Sequence, residues 1–154
     1  MATTLLILHG LVAVALIGAI THQTLATWAP LKAKPNTFFG RFRAIESAGF
    51  TNAIVVLYLI SALLGAVVYL YFKIDLQPNL ERDRHWHALG FLDLKEDFVA
   101  IGLGVLPAYW FCWRRPLNSQ NHQARAALTL LLAFIVWWAF LVGHVINNIG
   151  GFGS

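Results

Sequence analysis

Six histidines carry most of the chemistry this sequence offers: His9, His22, His85, His87, His122 and His144. An imidazole titrates near neutral pH and ligates iron, copper or zinc through either ring nitrogen. Inside an apolar segment it is costly, so each histidine there is a functional candidate by default. His9 and His144 each fall a turn or two inside the outer ends of the first and last apolar runs, which gives them similar depth if both runs are helices. A planar porphyrin held between two helices needs one imidazole from each at matched height, with small residues nearby, and Gly10 and Gly143 flank the pair. Trp137 precedes His144 by seven residues and so shares its helical face, where with Trp138 it would wall a large cofactor. The pattern predicts a b-type haem with His9 and His144 on the iron. The plainer alternative is that glycines and tryptophans are simply common where membrane helices pack or meet the interface.

The other histidines point elsewhere. His22 lies thirteen residues after His9 and on nearly the opposite helical face, so a second haem on one stripe is disfavoured. A hydrogen bond near the inner interface is its expected role, with a quinone headgroup contact as the functional alternative. His85 and His87 flank Trp86 and form an HxH pair, which in an extended segment puts both rings on one side and offers a copper or zinc site with Asp83, Asp93, Glu96 and Asp97 nearby. Against that, a mixed-charge loop is usually a solvated face, and Asp93, Glu96 and Asp97 suit the N-cap and first turn of a following helix. Cys112 is the only cysteine, so neither an internal disulfide nor a cysteine-rich metal site can form. The sequence holds no Ser-His-Asp arrangement, phosphate-binding glycine loop or HExxH motif, and a non-catalytic role is the expectation.

The elements that must position these residues follow from composition. Of 154 residues, 58% are hydrophobic and only 12% charged, against about 25% charged in an ordinary soluble domain. Four spans of about 20 residues use nearly the whole chain. They are expected at about 4–28, 50–72, 97–113 and 124–146, an all-α integral membrane four-helix bundle forming a single domain over 1–154, with the first run read as a retained helix. The third span is short, and Pro107 with the aromatic residues Tyr109, Trp110, Phe111 and Trp113 suits a kinked helix ending at the interface. Residues 73–96 form an outer loop, with Pro78 opening a short surface helix and Gly90 breaking the segment. Small residues four apart, Ser61 and Gly65 on the second span, predict close helix contacts.

Lys32, Lys34, Arg41, Arg43, Arg114, Arg115 and Arg125 fall in the first and third connections opposed by Glu46 alone, whereas Lys73, Arg82, Arg84 and Lys95 share the second with the six carboxylates from Asp75 to Asp97. Positive loops stay cytoplasmic, so both termini and the 73–96 loop are expected on the outer, periplasmic side of a bacterial inner membrane. The net charge of +4 is therefore a topology signal and not a nucleic-acid footprint.

Four apolar spans with His9 and His144 near the outer face resemble the four-helix membrane cytochromes b and the haem-bearing anchor subunits of respiratory enzymes. The resemblance is architectural, with no diagnostic motif, and the chain departs from multi-haem members, which carry paired histidines at regular spacing on two helices. It implies a small electron-transfer subunit working with haem or quinone, embedded in lipid and joined to other membrane subunits. The alternatives are a purely structural subunit without cofactor and a copper or zinc membrane protein centred on His85 and His87.

Overall fold

The computed structural model describes residues 2–28, 46–115 and 119–150. The basic connection with Lys32, Lys34, Arg41 and Arg43, together with Pro116 and residues 151–154, lies outside them. The described chain is helical: α1 (Ala2–Trp28), α2 (Phe50–Tyr71), the short α3 (Gln77–Arg82), α4 (Trp86–Arg114) and α5 (Ser119–Gly150). A 3₁₀ turn, Ser47–Gly49, leads into α2, and a π-helical turn, Phe72–Leu76, joins α2 to α3.

Continuous helix is what an apolar surrounding demands, because each backbone N–H and C=O must find its partner within the segment. The hydroxyls of α1 obey the same constraint: Thr24 donates to the Ile20 carbonyl at 2.7 Å and Thr27 to the Gln23 carbonyl at 2.8 Å. Three segments, Thr3–Trp28, Ser47–Arg82 and Asn121–Asn148, are long and apolar enough to cross a membrane. Helix α4 has the length, 29 residues, but not the hydropathy. Asp93, Lys95, Glu96 and Asp97 occupy its first half, and glycines, Pro107 and tyrosine dilute the second.

Two boundaries differ from the sequence expectation. Helix α4 starts at Trp86, not near Asp97, and runs unbroken through both Gly90 and Pro107. Most of the expected outer loop is thus helix, although Pro78 does open a short helix as its position predicts. The cause is tertiary: Leu80 and Leu92 bury 5% and 6% exposed beside Phe72, Val142 and Ile146, and this small cluster holds the polar segment in helical register. Consequently Asp93, Glu96 and Asp97 lie two to three turns inside α4 and do not cap it. Helix α5 likewise begins earlier than expected, at Ser119, taking His122 and Arg125 out of the connection.

Helix α1 packs on α2 and α5, and α4 packs on α5 and, least extensively, on α2. The main core lies between them, with Leu16, Ile20, Ile54, Leu106, Leu132 and Ile135 at its centre. Two glycines set the approach of α2 to its neighbours. A Cβ on Gly102 would sit 1.8 Å from the Tyr58 hydroxyl, which donates to the Val99 carbonyl at 3.1 Å, so only glycine admits this ring. Gly65 plays the same part for His9, as the small-residue spacing on the second span predicts.

Candidate functional site

The end of the molecule where α1 begins and α5 ends contains a cavity of about 410 Å³ walled by α1, α2, α4 and α5. Its floor is aliphatic, from Leu16, Val99, Ile135 and Val136, and its polar groups gather on the walls: His9, Ser61, Lys95, Glu96, His144 and Asn147. An apolar chamber with a few convergent polar groups is the usual form of a small-molecule site.

His9 and His144 both line this cavity, from α1 and α5 respectively, as do their neighbours Gly10 and Gly143. The His9 ring lies against the backbone of α2, where a Cβ on Gly65 would stand 3.2 Å from its Cε1, and the Ser61 backbone is beside it. Its Nδ1 is buried without a hydrogen-bond partner among the described residues. A buried polar atom left in this state costs about 1–3 kcal/mol. His144 sits at the cavity edge, stacked on Phe140 at 6.3 Å between centroids, with Asn148 Nδ2 3.3 Å from its Nε2.

Glu96 lines the cavity beside His9 and not a site around His85 and His87, and Lys95, which the sequence marks only as a loop charge, lies next to it. Leu92, Lys95, Glu96 and Val99 follow helical spacing and all line the cavity, a signal that α4's earlier start makes visible. The Lys95 ammonium and Glu96 carboxylate pair at 2.7 Å with side chains only 13% and 29% exposed, and both charges act on His9. The Lys95 stem crosses towards α5, its Cε 4.0 Å from where a Gly143 Cβ would be.

The remaining expected residues lie elsewhere. Trp137 does share the His144 stripe, but that stripe follows the α1–α5 seam. There Trp137 Nε1 donates to Thr21 Oγ1 at 3.0 Å, and the ring does not line the cavity. Trp138 packs among Phe91, Phe98 and Phe134. The aromatic side chains of the cavity are instead Tyr58, Tyr69, Phe72 and Phe140. His22 is buried at the opposite end, its ring 4.6 Å from that of Phe50. His85 and His87 are exposed at the start of α4, where helix replaces the extended geometry that would align an HxH pair. Among the described residues no three or more His, Cys, Asp or Glu side chains gather closely enough to hold a metal ion.

The opposite end is closed by polar bonds between helices. Gln23 is fully buried; its Nε2 donates to the Ser47 carbonyl at 3.0 Å and to Thr51 Oγ1 at 3.2 Å, and its Oε1 accepts from the Tyr109 hydroxyl. Trp113 Nε1 donates to Thr129 Oγ1, and Trp28 Nε1 to the Ala126 carbonyl, each at 3.0 Å. Arg125 of α5 caps α4: its Nε donates to the Cys112 carbonyl at 2.8 Å and its Nη2 reaches the carbonyls of Trp113 and Arg115. No family model, curated protein or solved structure matches the chain.

Proposed function

We propose that this chain is an integral membrane protein that crosses a bacterial inner membrane four times as a helical bundle, both termini outside, and serves as a small electron-transfer subunit of a larger membrane redox complex. Its redox site is the cavity, with one b-type haem between His9 and His144. The observation that carries this reading is that two intramembrane histidines from different helices line one apolar chamber with glycines beside them.

A b-type haem supplies one-electron chemistry when bound, and the rest belongs to the chain. His9 and His144 supply nitrogens from facing helices, and His144 must release the Asn148 amide to ligate through Nε2. Gly10 and Gly143 would leave room for the porphyrin, the aliphatic floor excludes water, and Lys95 offers a cation to carboxylate groups. Neighbouring subunits supply donor and acceptor. A reduced-minus-oxidised spectrum of the protein purified in mild detergent with its copurifying partners tests this: a b-type signal is expected, lost in His9→Ala and in His144→Ala. A featureless spectrum of the intact complex sinks the haem assignment. Topology is tested separately by fusing alkaline phosphatase to the C-terminus, where activity is expected and inactivity overturns the orientation.

The Lys95–Glu96 pair favours a second occupant of the same cavity, an isoprenoid quinone whose carbonyl oxygens accept from Lys95 and His9. Quinone extracted from the purified protein, with no Soret band, selects it. A purely structural subunit, in contrast, retains neither, and its histidine variants alter assembly alone.

A further inference from the structure

The α2–α4 seam is the least extensive of the four helix contacts. On α2, Asn52, Val56 and Leu59 follow one another at i, i+4 and i+7, and all are exposed. On antiparallel α4, Leu103, Trp110 and Arg114 form the matching stripe at i, i+7 and i+11, also exposed. The stripes meet at their polar ends, where Asn52 Oδ1 accepts from Trp110 Nε1 at 3.0 Å and from Arg114 Nη2 at 3.1 Å. The result is an exposed apolar strip along two neighbouring helices, headed by a guanidinium and an amide.

The cations at its head are placed and available. The Arg114 guanidinium lies 5.1 Å above the Trp110 ring and that of Arg115 lies 4.0 Å above Phe111, so both planes are held on aromatic faces. Neither pairs with a carboxylate among the described residues. A helix C-terminus would ordinarily draw such cations onto its own last carbonyls. Here Arg125 has taken the carbonyls of Cys112, Trp113 and Arg115, which leaves Arg114 and Arg115 facing outward. With Glu46 the sole carboxylate of the connections at this end, the local charge is positive.

We propose that this seam seats an anionic phospholipid, its phosphate held by Arg114, Arg115 and the Asn52 amide and one acyl chain lying on the strip between Val56 and Leu103. Guanidinium forks suit phosphate oxygens, and basic pockets between transmembrane helices are a recognised form of headgroup site. The exposed apolar strip beside the cations favours a lipid over a soluble phosphate anion, which has no use for it.

Native mass spectrometry of the full chain in a non-ionic detergent, titrated with phosphatidylglycerol, phosphatidylcholine or inorganic phosphate, tests the seat. Phosphatidylglycerol is expected to be retained about tenfold more tightly than phosphatidylcholine, and the Arg114→Gln/Arg115→Gln double variant to lose about that factor, as expected for charge-assisted bonds. A second variant, Val56→Trp, obstructs the strip and leaves the guanidiniums untouched; it is expected to lose phosphatidylglycerol as well. Equal retention of the two lipids, or undiminished retention by the double variant, overturns the proposal. Displacement by equimolar inorganic phosphate, or full retention by Val56→Trp, reassigns the site to a free anion and equally overturns it.

Discussion

The two ends of this bundle solve the same problem, polar side chains among apolar helices, in opposite ways. At the closed end Gln23, Thr51, Tyr109, Trp113, Thr129 and Arg125 are buried and each meets a partner on another element. At the cavity end His9 keeps a buried ring nitrogen without a hydrogen-bond partner among the described residues, and Lys95 and Glu96, neighbours on α4, pair with each other at the chamber wall. A satisfied network ties helices together, whereas a half-satisfied one costs stability and persists where something else makes use of it. On the proposed function, the closed end is the clamp and the cavity end the working site.

Gln23→Leu is the largest test of that division. It removes three bonds at once, those from Gln23 to the Ser47 carbonyl and Thr51 Oγ1 and that from the Tyr109 hydroxyl to Gln23. Individual side-chain bonds in membrane bundles contribute about 0.6 to 1.7 kcal/mol, so a loss of about 2–4 kcal/mol is expected in reversible unfolding from detergent micelles. An effect under about 1 kcal/mol would show that the network is not the clamp. The cavity end should respond with the opposite sign. Replacing a poorly solvated ion pair by apolar side chains of similar volume is commonly neutral or stabilising, so Lys95→Met with Glu96→Leu is expected to raise stability by about 1–2 kcal/mol while abolishing retention of the cavity ligand. Destabilisation together with normal ligand retention would make the pair structural and erase the contrast between the ends.

How much of this was legible in the sequence also divides by region. The first, second and fourth apolar runs mark their helices because hydropathy alone decides them, and the three span candidates coincide with those runs. The start of α4 was hidden, since Leu80, Leu89 and Leu92 are too sparse among charges to declare a buried face. Only their packing on Phe72, Val142 and Ile146 makes that segment helical. This one boundary explains why Lys95 carries no site signal in the sequence and why Asp93, Glu96 and Asp97 read as cap and first-turn residues. Depth and spacing did point to His9 and His144, which share the cavity, because helical rise is a local property. The same spacing misplaced Trp137, whose environment depends on Thr21, 116 residues away. The Gln23–Tyr109 bond, across 86 residues, has no local signature at all.

The smallest expected effect concerns the turn that roofs the cavity end. Helix α3 ends in a Schellman arrangement: His85 N–H donates to the Leu80 carbonyl at 2.8 Å and Arg84 N–H to the Glu81 carbonyl at 3.1 Å. The geometry puts Arg84 at φ 61°, the only non-glycine residue with positive φ among those described. Glycine is the residue this position favours, since a Cβ there meets the following carbonyl at a cost of about 1–2 kcal/mol. Part of that gain is offset by the greater freedom of glycine in the unfolded chain, about 0.5–1 kcal/mol. Arg84→Gly is therefore expected to stabilise by about 0.5 kcal/mol, and Arg84→Val, with a branched Cβ in the same conformation, to destabilise by about 1 kcal/mol or more. Because Leu80 in this short helix packs on Leu92 beneath it, the glycine variant should also slow amide exchange in the first turns of α4 and leave the Gln23 end unchanged. Equal slowing at both ends would mean that the bundle opens as one unit, and the division into clamp and working site would then describe chemistry alone and not local stability.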